Sequence, residues 1–321
     1  MGATEGPRIG RPGWEGGGWD PRVPVHRPAC QNPLVPQSTP TPPSRLGDPR
    51  DAAPPLRLRA YSAAGNRFAV IDAFDRAFPR PDALARALCR AGVGGAGFDG
   101  VLFVRRPTAD GDCRMLLHNA DGSRAEACGN GLRCVALHAR STGLVGAARV
   151  LVETDLGTRA VEWLEPQPRG MRARAAMGAG RVVEREAELA FAGGVLRATL
   201  VDLGNPHCVV AVEDVGEADV ARLGALLATH PRFPTGTNVE FAAREGEHLR
   251  LRVWERGVGE TAACGTGACA AALALLGEGE FTVQVHSPGG TLTVEREADG
   301  ALWLAGPCEA REWIEWVGGT E

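Results

Sequence analysis

The chain has 321 residues, of which 44% are hydrophobic and 23% are charged, and its formal net charge is −4. Charges of both signs are mixed along it, which excludes the basic block that nucleic acid or an anionic membrane would require. No apolar run approaches the roughly 18–20 residues that span a bilayer, so we expect a soluble protein with a substantial core and two domains of ordinary size.

The sequence contains no lysine, so all 35 basic residues are arginines. Pyridoxal-phosphate enzymes need a lysine for the Schiff base, and P-loop enzymes need a lysine on the phosphates, so both classes are excluded. The nine cysteines are odd in number and include no C-x-x-C pair. We therefore expect reduced thiols, a cytoplasmic location and no metal site of the zinc-ribbon type.

Residues 1–55 are crowded with Pro, Gly and Arg and lack a hydrophobic period, which predicts a disordered extension. From Leu56 onward, alternating segments predict strands, as in LRLRAY, FAVIDAF, VLFVRR and CRMLLHN. Helical spacing begins at Pro81, and a second helix, LRCVALHARSTG, follows the glycine-rich turn around Cys128 and ends at Gly143. RVLVETDLG and RAVEWLE predict further strands.

The second half repeats this order. Strands are predicted in AELAFAGGVLRATLVDLG, in HCVVAVED after the turn at Gly204–Asn205–Pro206, in NVEFA and in LRLRVWERG, with a helix over Val220–His230. The turn VGETAACGTG then leads into the helix ACAAALALLGEG. Each half thus has a Gly-Asn turn before a strand and an A-C-G-x-G turn before a helix, which indicates an internal repeat.

Cys128 and Cys264 each stand at the start of a helix, beside glycines that let the backbone approach a ligand closely. The unpaired N–H groups of a first helical turn bind anions, and the helix dipole favours a thiolate there. Two facing thiols, one ionised and one neutral, can remove a proton from one face of a carbon and deliver one to the other. This pattern predicts a cofactor-independent racemase or epimerase that acts on an amino acid.

Five ordered segments carry a family resemblance: GNRF, HNADGSRAEACGNGLRC, GNPHCV, FPTGTNVEF and ERGVGETAACGTGACA. They resemble the signature segments of diaminopimelate epimerase over about four-fifths of the chain, from Leu56 to Pro307. The resemblance implies an isomerase that interconverts LL- and meso-2,6-diaminopimelate in lysine biosynthesis without a metal or organic cofactor. Its partner would be a small amino-acid substrate, and we expect a homodimer.

The resemblance also implies roles for individual residues. Cys128 and Cys264 match the family's catalytic cysteines, and His207 and Glu255 match residues that modulate the thiol pKa. The positions that match substrate-binding residues are Asn66, Asn119, Gly129, Asn130, Asn205, Asn238, Glu255, Arg256, Gly265 and Thr266. The chain departs from the family pattern at Arg67, which replaces an acidic residue, at Gly100, where some members have glutamine, and at Thr266, where serine is frequent.

The expected fold is α/β (α+β), with two pseudo-symmetric domains that each wrap a mixed or antiparallel sheet around a central helix. We predict domains at 56–172 and 173–305, with 306–321 returning to the first. Two other functions remain open at this point. One is a racemase of the same fold for another amino acid, such as proline or histidine; the other is a redox or binding protein in which Cys128 and Cys264 form a disulfide.

Overall fold

A computed structural model of the chain describes residues 55–92, 97–125, 128–146 and 148–318. The predicted extension over 1–55 lies, apart from Pro55, outside the described residues. The first half of the described chain contains β1 (Leu56–Ala63), β2 (Asn66–Asp72), α1 (Pro81–Arg90), β3 (Gly100–Arg105), β4 (Cys113–Asn119), β5 (Arg124–Ala125), α2 (Gly129–Ser141), β6 (Arg149–Thr154), β7 (Gly157–Gln167) and β8 (Gly170–Ala179).

After β9 (Arg181–Phe191), which follows β8 with one residue between them, the second half repeats the series. It contains β10 (Gly194–Asp202), β11 (Pro206–Ala211), α3 (Val220–Ala228), β12 (Asn238–Glu245), β13 (His248–Glu255), β14 (Gly259–Thr261), α4 (Gly265–Leu276), β15 (Phe281–Ser287), β16 (Gly290–Arg296) and β17 (Ala301–Trp316).

The two halves share one pairing pattern. In the first, β1 is antiparallel to β2, β2 parallel to β3, β3 antiparallel to β4, β4 parallel to β6, and β6, β7 and β8 follow antiparallel. In the second, β10 to β13 and β15 to β17 repeat each of these relationships in the same order. The predicted internal repeat is therefore present in the strand topology.

The last strand links the halves. The first part of β17 pairs with β16 and, as far as Glu309, with β8, and the part from Glu309 to Trp316 pairs antiparallel with β1. Because β8 and β1 are the outer strands of the first half, β17 closes that set of strands into a barrel. The boundaries at 172 and 305 remain predictions, since one continuous sheet runs through them.

Each half encloses one helix. α2 packs against β1 to β4, β6 to β8 and β17, and α4 packs against β9 to β13 and β15 to β17. The sequence of α4, GTGACAAALALL, is apolar on every side, as expected for a helix surrounded by sheet. α1 and α3 lie outside; Leu84 and Leu88 of α1 pack on a separate cluster against β3. The fold is the predicted α+β arrangement of two pseudo-symmetric halves around central helices.

Candidate active site

The two cysteines of the A-C-G-x-G turns cap the two central helices. Cys128 is the N-cap of α2, and its Sγ accepts a hydrogen bond from the Gly131 N–H at 3.3 Å. Cys264 is the N-cap of α4, and its Sγ accepts from the Gly267 N–H at 3.4 Å. A side chain that caps a helix satisfies one of the four N–H groups with no partner inside the helix. Each thiol is therefore fixed at the positive end of its helix.

The starts of α2 and α4 face each other at their first residues. A Cβ atom added to Gly265 would lie 3.7 Å from the Gly129 Cα and 2.6 Å from Leu304 Cδ2. A Cβ added to Gly129 would lie 2.8 Å from the same Leu304 methyl group. A side chain at either position would therefore displace the Leu304 methyl group that packs against both helix starts. The backbone N–H groups of Gly129, Asn130, Gly265 and Thr266 are thereby concentrated in one place.

Glu255, at the end of β13, interacts with both thiols. Its carboxylate raises the pKa of Cys128 and of Cys264, and the hydrogen bond with Cys264 in turn lowers the pKa of Glu255. Burial is the largest influence on Glu255 itself and raises the pKa of its carboxyl group. Thr261 Oγ1 donates to Glu255 Oε1 at 2.5 Å. The structure thus brings Cys128, Cys264 and Glu255 into one site.

The environments of the two thiols differ. Burial raises the pKa of Cys128, while the Gly131 N–H and the Arg133 guanidinium lower it. Burial raises the pKa of Cys264 well above the usual thiol range, and the carboxylates of Glu255 and Glu240 raise it further. The N–H groups at the helix starts lower the pKa of each thiol, as predicted, but burial raises it by more, so the prediction of a net lowered thiol pKa is wrong. Of the two, Cys128 is the thiol that ionises more readily.

His207 lies in the core beside Cys264's helix and pairs with a carboxylate. Its Nδ1 is 2.7 Å from Glu240 Oε1, and its Nε2 is 3.1 Å from Asn205 Oδ1. The side chains of His207 and Glu240 are both completely buried. The two ring nitrogens of His207 thus face the Glu240 carboxylate and the Asn205 amide oxygen, both of which are acceptors. A Cβ added to Gly267 would lie 2.8 Å from Glu240 Oε1, so the carboxylate packs directly against the first turn of α4.

The repeat shows that these polar groups belong to one half only. His207 on β11 is paired with Asn238 on β12. The next residue of β12, Val239, is paired with Trp254 of β13, so Asn238 lies opposite Glu255. The matching positions on β2, β3 and β4 are held by Phe68, Gly100 and Asn119, which are paired with one another. Glu240 corresponds to Leu102, which fills the space beside Gly131 as Glu240 fills that beside Gly267. The acid–base partners are therefore grouped near Cys264.

Two of the predicted asparagines belong to the first half. Asn66 begins β2, and its Oδ1 accepts from Asn130 Nδ2 at 2.7 Å, so it lies against the first turn of α2. Asn119 ends β4 opposite Gly100, and its Nδ2 donates to Ser123 Oγ at 3.0 Å in the turn that follows. Asn66 is thus joined to the helix start, whereas the Asn119 amide stabilises the turn.

The other two lie in the second half. Asn205 accepts from His207, as described above, and Asn238 begins β12 and is 6% exposed. Asn238 Nδ2 donates to the Pro206 carbonyl at 3.2 Å, and its Oδ1 accepts from the Arg256 N–H at 3.0 Å. The Arg256 guanidinium is exposed and donates to the Thr235 carbonyl at 3.2 Å. Asn238 therefore joins the His207 strand to the segment that presents Arg256.

The departures from the family pattern lie beside the site. The Arg67 guanidinium donates to Glu312 Oε1 at 2.7 Å and stacks over the ring of Phe98, and the Arg67 backbone N–H donates to Asp99. A Cβ added to Gly100 would lie 2.8 Å from the His118 carbonyl oxygen, so a side chain requires the strands to shift. Thr266 Oγ1 is 3.4 Å from Cys264 Sγ, within hydrogen-bond distance of the thiol.

Two residues of the site were not singled out from the sequence, namely Glu240 and Arg133. Both are fully buried, and each lies within electrostatic reach of one of the thiols. The sequence contained a signal for each of them. Glu240 is a charged residue at an inward-facing position of the strand NVEFA, and Arg133 is a charged residue one turn into a helix enclosed by sheet. Charged side chains at such positions are rare unless they are paired or functional.

Within residues 55–92, 97–125, 128–146 and 148–318, no three His, Cys, Asp or Glu side chains are grouped so that they could hold a metal ion. Over the same residues, each helix is too short or too polar to cross a membrane.

The chain matches the family model for diaminopimelate epimerase over residues 59–183 and 199–309. It is 42% identical over 273 residues to a protein of Desulforudis audaxviator named diaminopimelate epimerase, covering 79% of this chain and 96% of that protein. A protein of the same name from Pelotomaculum thermopropionicum is 39% identical over 262 residues, covering 76% and 93%. The fold is similar to the structure of a hydroxyproline epimerase from Agrobacterium vitis, with a TM-score of 0.63, 16% identity and coverage of 81% and 90%.

Proposed function

The chain belongs to the diaminopimelate epimerase family and is an isomerase, and we propose that it interconverts LL- and meso-2,6-diaminopimelate by a two-thiol mechanism. The observation that carries this proposal is the pair of thiols that cap facing helices and share Glu255 as a neighbour. A carbon held between the two helix starts would have a thiol available on each side.

The carboxylate next to the reacting carbon is held by the first-turn N–H groups of the two helices. These N–H groups and the two helix dipoles favour an anion there. They also stabilise the negative charge that develops when the α-proton leaves, which matters because no electron-withdrawing cofactor takes up that charge. Enclosure of the site strengthens each of these interactions, since water is excluded from it.

Proton transfer then uses the difference between the thiols. As thiolate, Cys128 removes the α-proton from one face of the carbon, and the protonated Cys264 delivers its own proton to the other face. The product leaves Cys128 protonated and Cys264 ionised, which is the state needed for the reverse direction. Glu255 and the His207–Glu240 pair lie where they can adjust the proton affinity of Cys264 in both states.

The distal end of the substrate carries a second amine and carboxylate. The exposed guanidinium of Arg256 can bind that carboxylate in a bidentate manner. Asn66, Asn119, Asn205 and Asn238 supply amide donors and acceptors for the charged ends of the substrate. A substrate without a second carboxylate would leave Arg256 unused, which is why we favour diaminopimelate over proline or histidine.

Several wider assignments are part of the same proposal. The reaction supplies lysine biosynthesis and uses no metal or organic cofactor, and the enzyme acts as a homodimer with domains at 56–172 and 173–305. A cytoplasmic location suits the eight cysteines of the described residues, all of which are free thiols. Nucleic acid and membranes are not proposed as partners.

The test is NMR-monitored α-proton exchange in D₂O, under reducing conditions, with LL-diaminopimelate as substrate. We expect deuterium incorporation and formation of the meso isomer, with each of Cys128→Ala and Cys264→Ala lowering the rate by at least about 10²-fold. Cys89→Ala is the matched control and should leave the rate unchanged, because Cys89 lies on α1, away from both thiols.

Other outcomes separate the remaining alternatives. Exchange with a different amino acid but not with diaminopimelate would retain the two-thiol mechanism and change the substrate. A redox or binding protein would be favoured if no amino acid exchanged its α-proton and if a reversible Cys128–Cys264 disulfide altered the binding of a partner.

A further inference from the structure

Arg133 is a completely buried cation in the middle of the first barrel. It lies on α2, one turn after the residues that begin the helix, and no part of it is exposed. Its Nη2 donates to Asn130 Oδ1 at 2.7 Å, and its Nη1 lies 3.3 Å from the Gly129 carbonyl and 3.5 Å from the Leu304 carbonyl. The guanidinium therefore lies directly behind the two facing helix starts.

No carboxylate pairs with this cation in the part of the chain that the structure describes. Its oxygen contacts are neutral carbonyls and an amide, and its Nε has no hydrogen-bond partner there. The titratable groups that face it are thiols from three elements: Cys128 and Cys134 on α2, Cys269 on α4 and Cys308 on β17. Burying a charge without a permanent counter-charge costs desolvation free energy, and a nearby anion would offset that cost.

The barrel leaves space for this side chain. A Cβ added to Gly306 of β17 would lie 3.1 Å from Arg133 Nη2 and 3.4 Å from its Cζ. The second half has no such cation, because the residue five positions after Cys264 is Cys269, as Arg133 is five positions after Cys128. Conversely, the buried carboxylate Glu240 has Leu102 as its counterpart. The repeat thus places a positive charge near one thiol and a negative charge near the other.

We infer that Arg133 is a positioning residue for the proposed epimerisation: it is the counter-charge for the Cys128 thiolate and the bound carboxylate, and it fixes the amide orientation of Asn130 and Asn66. The inference rests on the proposed function for its carboxylate part only. The thiolate part concerns the free protein and can be tested without any amino acid.

The amide orientation follows from the donors of arginine. A guanidinium has donors only, so the oxygen of Asn130 must face Arg133 and its NH₂ group must face Asn66. Asn66 therefore presents its oxygen to Asn130 and directs its own NH₂ group away from the helix, where Asp99 Oδ2 lies at 3.4 Å. An outward NH₂ group is the donor that a substrate carboxylate needs.

The buried charges around the two thiols differ because the repeat is asymmetric at these positions. Arg133 stabilises negative charge on Cys128, whereas Glu240 opposes negative charge on Cys264. Burial and the Glu255 carboxylate raise the pKa of both thiols, and the two buried charges make Cys128 the easier of the two to ionise before any substrate is bound. With Cys128 ionised and Cys264 neutral, the pair can remove a proton at Cys128 and deliver one from Cys264.

The experiment measures the pH dependence of iodoacetamide modification of Cys128 in the ligand-free protein, resolved by peptide mass spectrometry. In Arg133→Met, which replaces the cation by an apolar side chain of similar length, we expect the inflection to move up by about one pH unit, which lowers the modification rate at pH 7 about tenfold. Arg133→Lys should restore the inflection, because it keeps the charge, but should raise KM, because an amine cannot form the planar fork.

Arg174→Met is the matched control. Arg174 is a partly buried arginine of the same barrel, held by Glu162 and Glu295 and stacked on Trp303. An unchanged inflection in Arg133→Met, an equal shift in Arg174→Met, or the same shift in Arg133→Lys would overturn the inference. Arg133→Gln replaces the Met variant if the latter does not fold. Failure of the D₂O exchange test would change the substrate but would leave this thiol measurement valid.

Discussion

His207 and Glu240 form a buried pair in which Nδ1 lies 2.7 Å from Oε1 and neither side chain is exposed. The pair lies beside the first turn of α4, and Glu240 is one of the two carboxylates that raise the pKa of Cys264. Breaking a buried pair leaves an uncompensated polar group, so both stability and the thiol should respond to its removal.

Glu240→Gln removes this carboxylate while keeping an oxygen acceptor for His207. We expect a loss of about 3 kcal/mol in the free energy of unfolding, measured in urea. Because Glu240 raises the pKa of Cys264, its removal should also shift iodoacetamide modification of Cys264 to lower pH. Glu245→Gln, at the exposed end of the same strand, should change neither quantity. If Glu240→Gln is destabilised but the pH dependence of Cys264 modification does not change, the His207–Glu240 pair does not influence the Cys264 thiol.

Gly265→Ala tests the packing of Leu304 against the start of α4. The new methyl group would meet Leu304 Cδ2 at 2.6 Å, and we expect a destabilisation of about 1–3 kcal/mol with a marked loss of activity. In the double variant Gly265→Ala, Leu304→Ala, the two destabilisations should be less than additive, since the second change removes the clash. Gly279→Ala, where the Cβ meets nothing within 4 Å, is the control. Full additivity in the double variant would contradict the proposed clash.

Stability should fall in mild acid because of His138. Burial lowers the pKa of this histidine to about 4, from an ordinary value of about 6.5. Its folded-state pKa is depressed, so its contribution is fully present above pH 6.5 and is lost as the pH falls towards 4, by about 3 kcal/mol at most. Urea titrations at pH 7 and 4.5 should show a smaller pH effect in His138→Gln. His230→Gln, outside the core, should retain the full pH dependence of the free energy of unfolding. If that dependence is unaltered in His138→Gln, it arises from a group other than His138.

Arg256→Gln tests recognition of a second carboxylate. A hydrogen bond to a charged group contributes about 1.5–3 kcal/mol to binding, so its loss should raise KM for diaminopimelate roughly 10- to 100-fold. Arg250→Gln, on β13 before Arg256 and paired with Glu245, should leave KM unchanged. A substrate with one carboxylate that is turned over equally well by the wild type and the Arg256 variant would argue against diaminopimelate.

The local signals in the sequence were strong where the structure depends on neighbours in the chain. Cys128 and Cys264 were predicted at helix starts, and both cap their helices, because capping involves residues within a single turn. The helix beginning at Pro81 and the apolar helix after Cys264 were likewise confirmed. The repeat was visible because two copies of one turn–helix pattern recur in the same order.

Strands β8, β15, β16 and β17 were not predicted from the sequence. The sequence of β8, GMRARAAMGA, alternates between arginine and small residues, and its strand conformation depends on pairing with β7 and β17. Strand propensity reflects packing against neighbours more than an intrinsic preference of the backbone, so β8 could not be identified locally, whereas the alternation in FTVQVHS of β15 was a local signal that the prediction missed.

The sequence by itself determined the local features of the candidate site: two cysteines at two glycine-rich helix starts, no lysine, and a repeat that predicts two similar halves. Only the tertiary structure decided how the two thiols differ. Burial raises both pKa values, and the buried charges of Arg133 and Glu240 come from positions that the repeat does not share. Desolvation and buried charge depend on which distant segments pack together, and no local pattern in the chain specifies that.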